Sequence, residues 1–162
     1  NNLEKIYETN SIEMKALEKY LRTDYSIEKY KIEADRSNPN DTKSRQKIFQ
    51  NNELIYKQGR IVKNVVGTLT TKQDRNPNPG IIEYPIRKIG KSIYRNLTPR
   101  ECFLLMGFSE EDYDKVVEYG PKSRGSIAFY GRERLERLAG NSIVVDVLEK
   151  IFEQIIDIKK IV

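Results

Sequence analysis

The sequence predicts an α+β fold in which a small lobe of mixed strands is followed by short, capped helices and a long C-terminal helix. Three observations lead to this prediction. Short β-prone runs lie between residues 53 and 85, helix-capping residues recur after residue 97, and the last segment carries an apolar stripe at helical spacing. With 162 residues, the chain is one ordinary domain or a domain with an appendage.

The composition restricts the chemistry that the chain can perform. Hydrophobic residues make up 38% and charged residues 33%, which indicates a soluble protein with a core and a highly charged surface. No run approaches the ~18 apolar residues of a membrane span, and no signal-peptide pattern opens the chain, so we expect no membrane partner. One cysteine and no histidine exclude an internal disulfide, the usual zinc sites and histidine-dependent nucleophiles, and we predict no metal.

The N-terminal elements are the least regular. Residues 11–21 predict an amphipathic helix, because apolar side chains recur at spacings of three and four. Residues 26–34 alternate too irregularly to predict a strand. Residues 35–42, with the sequence DRSNPNDT, are typical of a turn.

The segment from Glu53 to Pro85 predicts strands separated by loops. Its β-prone runs are ELIY, RIVKNVVGTLTT and GIIEYP, and the loop KQDRNPNPG contains two prolines and a glycine. We therefore predict small strands with long loops in this half of the chain.

A capped helix is predicted next. Thr98, Pro99 and Glu101 form a capping-box pattern, and Leu97 can pack against Cys102 as a hydrophobic staple. This helix should end at Gly107.

Further capping residues predict three more helices. Ser109 is a helix N-cap followed by acidic residues that suit the positive helix end. A third helix should cover residues 133–138 and end at Gly140, with Asn141 or Ser142 capping the last helix. The last helix carries a wide apolar stripe that must be buried against a partner. The stripe consists of Ile143, Val144, Val147, Leu148, Ile151, Phe152, Ile155 and Ile156.

Positive charge is concentrated in the middle of the chain. Residues 43–100 contain thirteen basic and three acidic side chains, whereas both flanking segments carry a small acidic excess. Such a segment suits a polyanion such as nucleic acid, and a solvated basic face is the alternative.

Two stretches resemble conserved motifs of one enzyme family. RNLTPRECFLLMGF, residues 95–108, resembles the ninth motif of the DNA methyltransferases that methylate carbon 5 of cytosine, and AGNSIVV, residues 139–145, resembles their tenth motif. The segment GTLTT, residues 67–71, is similar to the Thr-Leu element of the family's target-recognition region. The resemblance covers about the last 110 residues.

The resemblance implies different functions for the two parts of the chain. Residues 1–95 would form a target-recognition lobe that binds double-stranded DNA, and residues 96–162 a helical tail that packs on a missing α/β catalytic domain or subunit. Asn141 and Ser142 would line the S-adenosylmethionine pocket, although simple N-capping remains open for both. The candidate DNA contacts are Arg60, Lys63, Thr68, Thr70, Lys72 and Arg75.

No catalytic residue is assigned to this chain. The family's Pro-Cys nucleophile, its Glu-Asn-Val element and its glycine-rich cofactor loop are missing from these 162 residues, and the chain starts at Asn1 without methionine. We therefore expect part of a longer or split enzyme that is inactive alone. Cys102 lies on the apolar side of a predicted helix and is interpreted as structural, as are Arg100 and Glu101.

The resulting functional prediction is the C-terminal part of a DNA cytosine-5 methyltransferase, which chooses the target sequence in a cytoplasmic restriction-modification system. The alternative is a stand-alone DNA-binding or specificity subunit. An RNA-binding domain ranks lower, because no aromatic stacking pattern is present. For the apolar stripe, the catalytic domain or a second copy of the chain would provide the cover.

Overall fold

The computed structural model describes residues 16–120 and 131–161 of the chain. The described residues form six α-helices, one 3-10 turn and a four-stranded sheet, which confirms the α+β class. In chain order, the elements are the 3-10 turn Leu17–Lys19, α1 Glu28–Arg36, α2 Lys43–Gln50, β1 Leu54–Lys57, β2 Arg60–Ile61, β3 Ile81–Glu83, β4 Tyr94–Asn96, α3 Pro99–Leu105, α4 Glu110–Tyr119, α5 Arg132–Asn141 and α6 Val145–Ile161.

The sheet has the strand order β2-β1-β3-β4, in which β1 and β3 are parallel and the other two pairs are antiparallel. Gln58 and Gly59, both with positive φ, form the tight turn between β1 and β2. The strands predicted in ELIY and GIIEYP are confirmed. The run RIVKNVVGTLTT is a strand only at Arg60–Ile61, because the chain leaves the sheet after the Val62 amide bonds to the Ile55 carbonyl.

The helix predicted for residues 11–21 is wrong over its described part, and residues 11–15 lie outside the described residues. From Ala16 onward, the chain forms only the 3-10 turn, with Leu17 and Leu21 buried. An α-helix cannot continue to Arg22, because its amide donates to the Glu101 carboxylate at 2.9 Å instead of to a carbonyl four residues earlier. The segment of residues 26–34, for which no strand is predicted, forms most of helix α1. The turn predicted for residues 35–42 starts too early, because Asp35 and Arg36 are the last residues of α1.

The predicted helix starts are confirmed at α3 and α4. Thr98 and Glu101 form a complete capping box, and Ser109 and Asp112 form a second one. Helix α3 ends before Gly107, whose φ of +87° is the left-handed conformation that glycine adopts without strain.

The boundary between the last two helices differs from the prediction. Gly140 lies inside α5, which ends at Asn141, and α6 begins only at Val145. The Val145 amide donates to the Met106 carbonyl at 2.9 Å, so the predicted cap at Asn141 or Ser142 is not formed. The start of α6 is thereby attached to the end of α3.

One core joins the sheet to the helices. It contains Leu17, Leu21, Ile55, Ile82, Leu97, Cys102, Phe103, Met106, Tyr113, Leu135 and Ala139. The predicted boundary between residues 95 and 96 falls within β4, whose last two residues are buried.

At the centre of this core, Arg95 and Glu101 form a bidentate ion pair, and both side chains are fully buried. The Arg95 Nη1 and Nη2 atoms each donate to a Glu101 carboxylate oxygen at 2.8 Å, and Arg95 Nε donates to the Tyr25 hydroxyl at 3.1 Å. Glu101 also accepts from the amides of Thr98 and Arg22. Although burial opposes a charged guanidinium, the neighbouring Glu101 carboxylate raises the pKa of Arg95.

Helix α6 extends away from the core and leaves most of its apolar stripe in solvent. Ile151, Phe152, Ile155 and Ile156 are 44–60% exposed. Within residues 16–120 and 131–161, no helix is both long and apolar enough to cross a membrane.

Replacing Glu101 tests the central ion pair. Glu101→Ala should lower the free energy of unfolding by about 3 to 5 kcal/mol, because it leaves the Arg95 charge buried without a partner. Urea unfolding followed by circular dichroism measures this loss. Glu111→Ala removes an exposed pair with Lys115 and should leave the urea midpoint unchanged. Equal effects of the two substitutions would contradict a central role for Glu101.

Candidate functional site

The Thr-Leu segment, residues 67–71, and the junction of α5 and α6 line an open cavity of about 410 Å3. One wall comes from the Thr-Leu segment and the other from the ends of α3 and α5 and the start of α6. The lining residues are Val66, Gly67, Thr68, Leu69, Leu105, Met106, Gly140, Ser142 and Val144. The structure thus brings together Thr68 and Ser142, which sequence analysis assigns to DNA and to the cofactor.

Gly140 allows this close approach between α5 and the Thr-Leu segment. A Cβ at residue 140 would lie 2.9 Å from the Thr70 carbonyl carbon and 3.0 Å from the Thr71 nitrogen. These are backbone atoms, so a side chain could be accommodated only if the segment moved.

Of the two predicted cofactor residues, Ser142 lines this cavity, and Asn141 precedes it in the chain. Asn141 is exposed, and its side chain makes no hydrogen bond to the described residues. Ser142 is half-buried, and its hydroxyl donates to the Ile143 carbonyl at 3.1 Å. A free amide and a hydroxyl beside an open, largely apolar cavity fit the polar edge of an organic cofactor. They provide one wall of such a site.

The predicted basic DNA contacts occupy two neighbouring regions. Arg60 lies exposed in β2, and Lys72 and Arg75 lie exposed in the loop of residues 72–80. Lys63 pairs with Glu53 at the surface, which neutralises part of its charge. The Arg75 guanidinium is 3.8 Å from Asp74, a distance that leaves it accessible to another anion.

The two predicted threonine contacts differ in their environments. Thr68 is exposed and lines the cavity. The Thr70 hydroxyl donates to the Asn76 carbonyl at 2.9 Å and so fastens the loop of residues 72–80. Thr70 therefore holds the neighbouring loop in place.

Arg100 connects three elements. It donates to Glu33 of α1 at 2.9 to 3.1 Å and pairs with Glu110 and Asp114 of α4. The guanidinium also stacks 4.4 Å from the centre of the Tyr113 ring. Arg100 and Glu101 are both engaged inside the protein, as a structural interpretation requires.

Cys102 is almost completely buried, with 1% of its surface exposed. Burial, together with the charges of Glu136 and Glu101, raises the pKa of its thiol well above the ordinary value. A protonated thiol in the core is unsuited to nucleophilic attack on a base.

Sequence reasoning missed the residues that hold the loop of residues 72–80. Arg45 of α2 donates to both the carbonyl and the carboxylate of Asp74, with Nη2 to Oδ1 at 2.8 Å. Gln73 is buried and donates to the Thr70 carbonyl at 2.8 Å. The partners of Arg45 are 29 residues away, so no local pattern indicated this contact.

Comparison with known proteins defines the family. A profile of the C-5 cytosine-specific DNA methylases matches residues 1–157, and the chain belongs to this family. The chain is 40% identical over 74 residues to the orphan methyltransferase M.Rho11sI of Bacillus phage rho11s. It is 39% identical over 74 residues to the orphan methyltransferases M.SPRI of Bacillus phage SPR and M.Phi3TI of Bacillus phage phi3T. Each match covers 46% of this chain but only 12 to 14% of the relative.

Substituting Gly140 tests the contact that shapes the cavity. Alanine favours a helix by about 1 kcal/mol over glycine, whereas forcing a methyl group against backbone costs about 1 to 3 kcal/mol. Gly140→Ala should therefore lower the free energy of unfolding by about 1 kcal/mol and shift the Thr70 and Thr71 amide resonances.

Asn141→Ala is the matched control, because it raises helix propensity at an exposed neighbouring position without a clash. Urea unfolding and two-dimensional NMR measure both variants. If Gly140→Ala stabilised the protein as Asn141→Ala should, the close packing of α5 on the Thr-Leu segment would be refuted.

Proposed function

We propose that this chain is the C-terminal part of a DNA cytosine-5 methyltransferase, where it selects the DNA target and completes the S-adenosylmethionine pocket. Family membership and the two motif resemblances support this proposal. The observation that supports it most directly is the shared cavity. The Thr-Leu segment of the recognition region and residues 140–142 of the tenth motif face each other across this cavity.

In this proposal, residues 1–95 recognise the DNA target, and residues 96–162 complete the cofactor pocket. Arg60, Lys63, Lys72 and Arg75 provide positive charge for the phosphate backbone. Thr68 lines the cavity, and Thr70 holds the adjacent loop. A complete enzyme of this kind extrudes the cytosine from the duplex before it reacts. The recognition lobe would hold the duplex on either side of that base.

The cofactor role belongs to the rim of the cavity. Asn141 and Ser142 would hold polar atoms of S-adenosylmethionine, whose sulfonium centre supplies the methyl group when it is bound. The remaining wall and the nucleophile would come from a catalytic part that covers the exposed stripe of α6. Alternatively, a second copy of the chain would bury this stripe.

The biological setting that we propose is cytoplasmic DNA modification. Restriction-modification is the setting expected from the motifs. The relatives are named as orphan methyltransferases of Bacillus phages, and these names favour the modification of phage DNA as an alternative setting. In either setting, the chain would act on double-stranded DNA.

A stand-alone DNA-binding or specificity subunit is the second candidate. The observation in its favour is the combination of an accessible basic surface with a buried Cys102, which provides binding without chemistry. The two candidates differ in whether the cavity at Ser142 binds the cofactor, and isothermal titration with S-adenosylmethionine distinguishes them.

The first functional prediction is catalytic inactivity of the chain alone. The purified chain should transfer no labelled methyl group from S-adenosylmethionine to duplex DNA, because its single thiol is buried. A complete cytosine-5 methyltransferase is the positive control. Transfer that survives Cys102→Ala would refute the assignment as an incomplete part, and transfer abolished by Cys102→Ala would make Cys102 the nucleophile.

The second prediction concerns DNA binding. The chain should bind duplex DNA weakly, and each lost phosphate contact should reduce the slope of log affinity against log salt by about 0.9. Reversing Arg60, Lys63 and Lys72 to glutamate should abolish this binding in a fluorescence anisotropy assay.

The matched control replaces three exposed lysines outside the basic segment with glutamate and so changes the net charge by the same amount. These lysines are Lys19, Lys29 and Lys115. The control should retain most of the affinity. Equal loss in both triple variants would show that net charge, not the basic segment, drives binding.

A further inference from the structure

Three side-chain contacts hold the first half of the loop of residues 72–80. The Asn76 carbonyl accepts from the Thr70 hydroxyl, and Asp74 is held by Arg45 through its carbonyl and its carboxylate. The Gln73 side chain is 1% exposed and donates to the Thr70 carbonyl. These contacts give the loop a defined conformation before any ligand binds.

Two glycines allow the same loop to pack closely on its neighbours, Gly67 in the Thr-Leu segment and Gly80 beside β1. A Cβ at residue 67 would overlap the Asn78 carbonyl oxygen. Gly80 has a φ of +113°, and a side chain there would overlap Ile55 of β1. Neither position tolerates a larger residue, so the backbone around Asn78 is fixed by packing.

Within this fixed loop, buried prolines alternate with exposed asparagines. Pro77 and Pro79 are buried, whereas Asn76 and Asn78 are exposed. The Gly80 amide donates to the Pro77 carbonyl at 2.9 Å, which places Asn78 in the turn that the two residues close.

The two asparagine side chains have no internal function in the described structure. Asparagine in turns commonly bonds to nearby backbone. Here, neither side-chain amide makes a hydrogen bond to the residues that the structure describes. Both amides are therefore available to an outside partner.

The surroundings of these amides indicate the chemistry of that partner. Lys72 and Arg75 precede them in the same loop and are exposed, and their charges suit phosphate. An asparagine amide can donate to and accept from one base edge at the same time, and adenine offers the matching pair at N6 and N7 in the major groove.

We infer that Asn76 and Asn78 determine DNA sequence specificity by reading base edges, adenine above all, while Lys72 and Arg75 bind the adjacent phosphates. This inference rests on the proposed function, because it requires that the chain contact its DNA target. It assigns the choice of bases to two uncharged residues in a pre-organised loop.

Selection from a duplex pool with randomised base pairs tests this assignment. The wild-type chain should enrich adenine at one or two positions. Asn76→Ala together with Asn78→Ala should reduce that enrichment on the order of tenfold, the discrimination of one good base contact, without changing the salt dependence. The matched control, Lys72→Ala with Arg75→Ala, should weaken all sequences equally and reduce the salt slope.

A chemical probe tests the contact without changing the protein. The selected duplex with 7-deazaadenine at the enriched position lacks the N7 acceptor, so the wild-type chain should bind it less tightly than the adenine duplex. The double asparagine variant should bind both duplexes equally. Circular dichroism confirms that both variants fold.

The possible results distinguish a failure of the Asn76 and Asn78 assignment from a failure of the proposed function. If the wild-type chain binds DNA with salt dependence but without base preference, or if the asparagine variant keeps the preference, the assignment of Asn76 and Asn78 is overturned and the proposed function stands. If the wild-type chain shows no salt-dependent DNA binding, the proposed function is overturned together with the assignment.

Discussion

The buried ion pair between Arg95 and Glu101 is the interaction on which the rest of the structure depends. The Glu101 carboxylate accepts hydrogen bonds from Arg95 in β4, from the Thr98 amide before α3 and from the Arg22 amide near the first described residues. Because both charges are fully buried, neither can lose its partner without leaving an uncompensated charge in the core. The pair thereby fixes which strand end meets which helix start, whatever its net contribution to stability.

The neighbouring Arg100 has a different function, although the same short helix carries it. Its partners Glu33, Glu110 and Asp114 are partly exposed and belong to α1 and α4, so the cluster fastens outer helices to α3. The loss of one of these pairs leaves Arg100 with two others. Glu101 faces the sheet and Arg100 faces α1 and α4, so α3 connects the sheet to both outer helices.

Sequence alone predicted the features of this protein that are encoded locally. The capping box at Thr98, the N-cap at Ser109 and the stop at Gly107 depend on residues within one helical turn, and all three are observed. The 3-10 turn at residues 17–19 could not be predicted, because the Arg22 amide binds a carboxylate 79 residues away. For the candidate site, the motif resemblance selected Thr68 and Ser142. The contact from Arg45 that holds the adjacent loop joins residues 29 apart and has no short-range signal.

The short helix α3 also links the core to the candidate site. Its first turn contains Glu101, and the carbonyl of Met106, just after its last turn, accepts from Val145 at the start of α6. Between these ends, α3 packs on α5, whose Gly140 touches the Thr-Leu segment. The cavity walls are therefore positioned by the same element that holds the buried charges. The apolar face of α6 contributes little to that arrangement, since it remains largely in solvent. The proposal that this chain completes an active site with another part requires this arrangement, in which one wall of the site is built and the adjoining helix face is still uncovered.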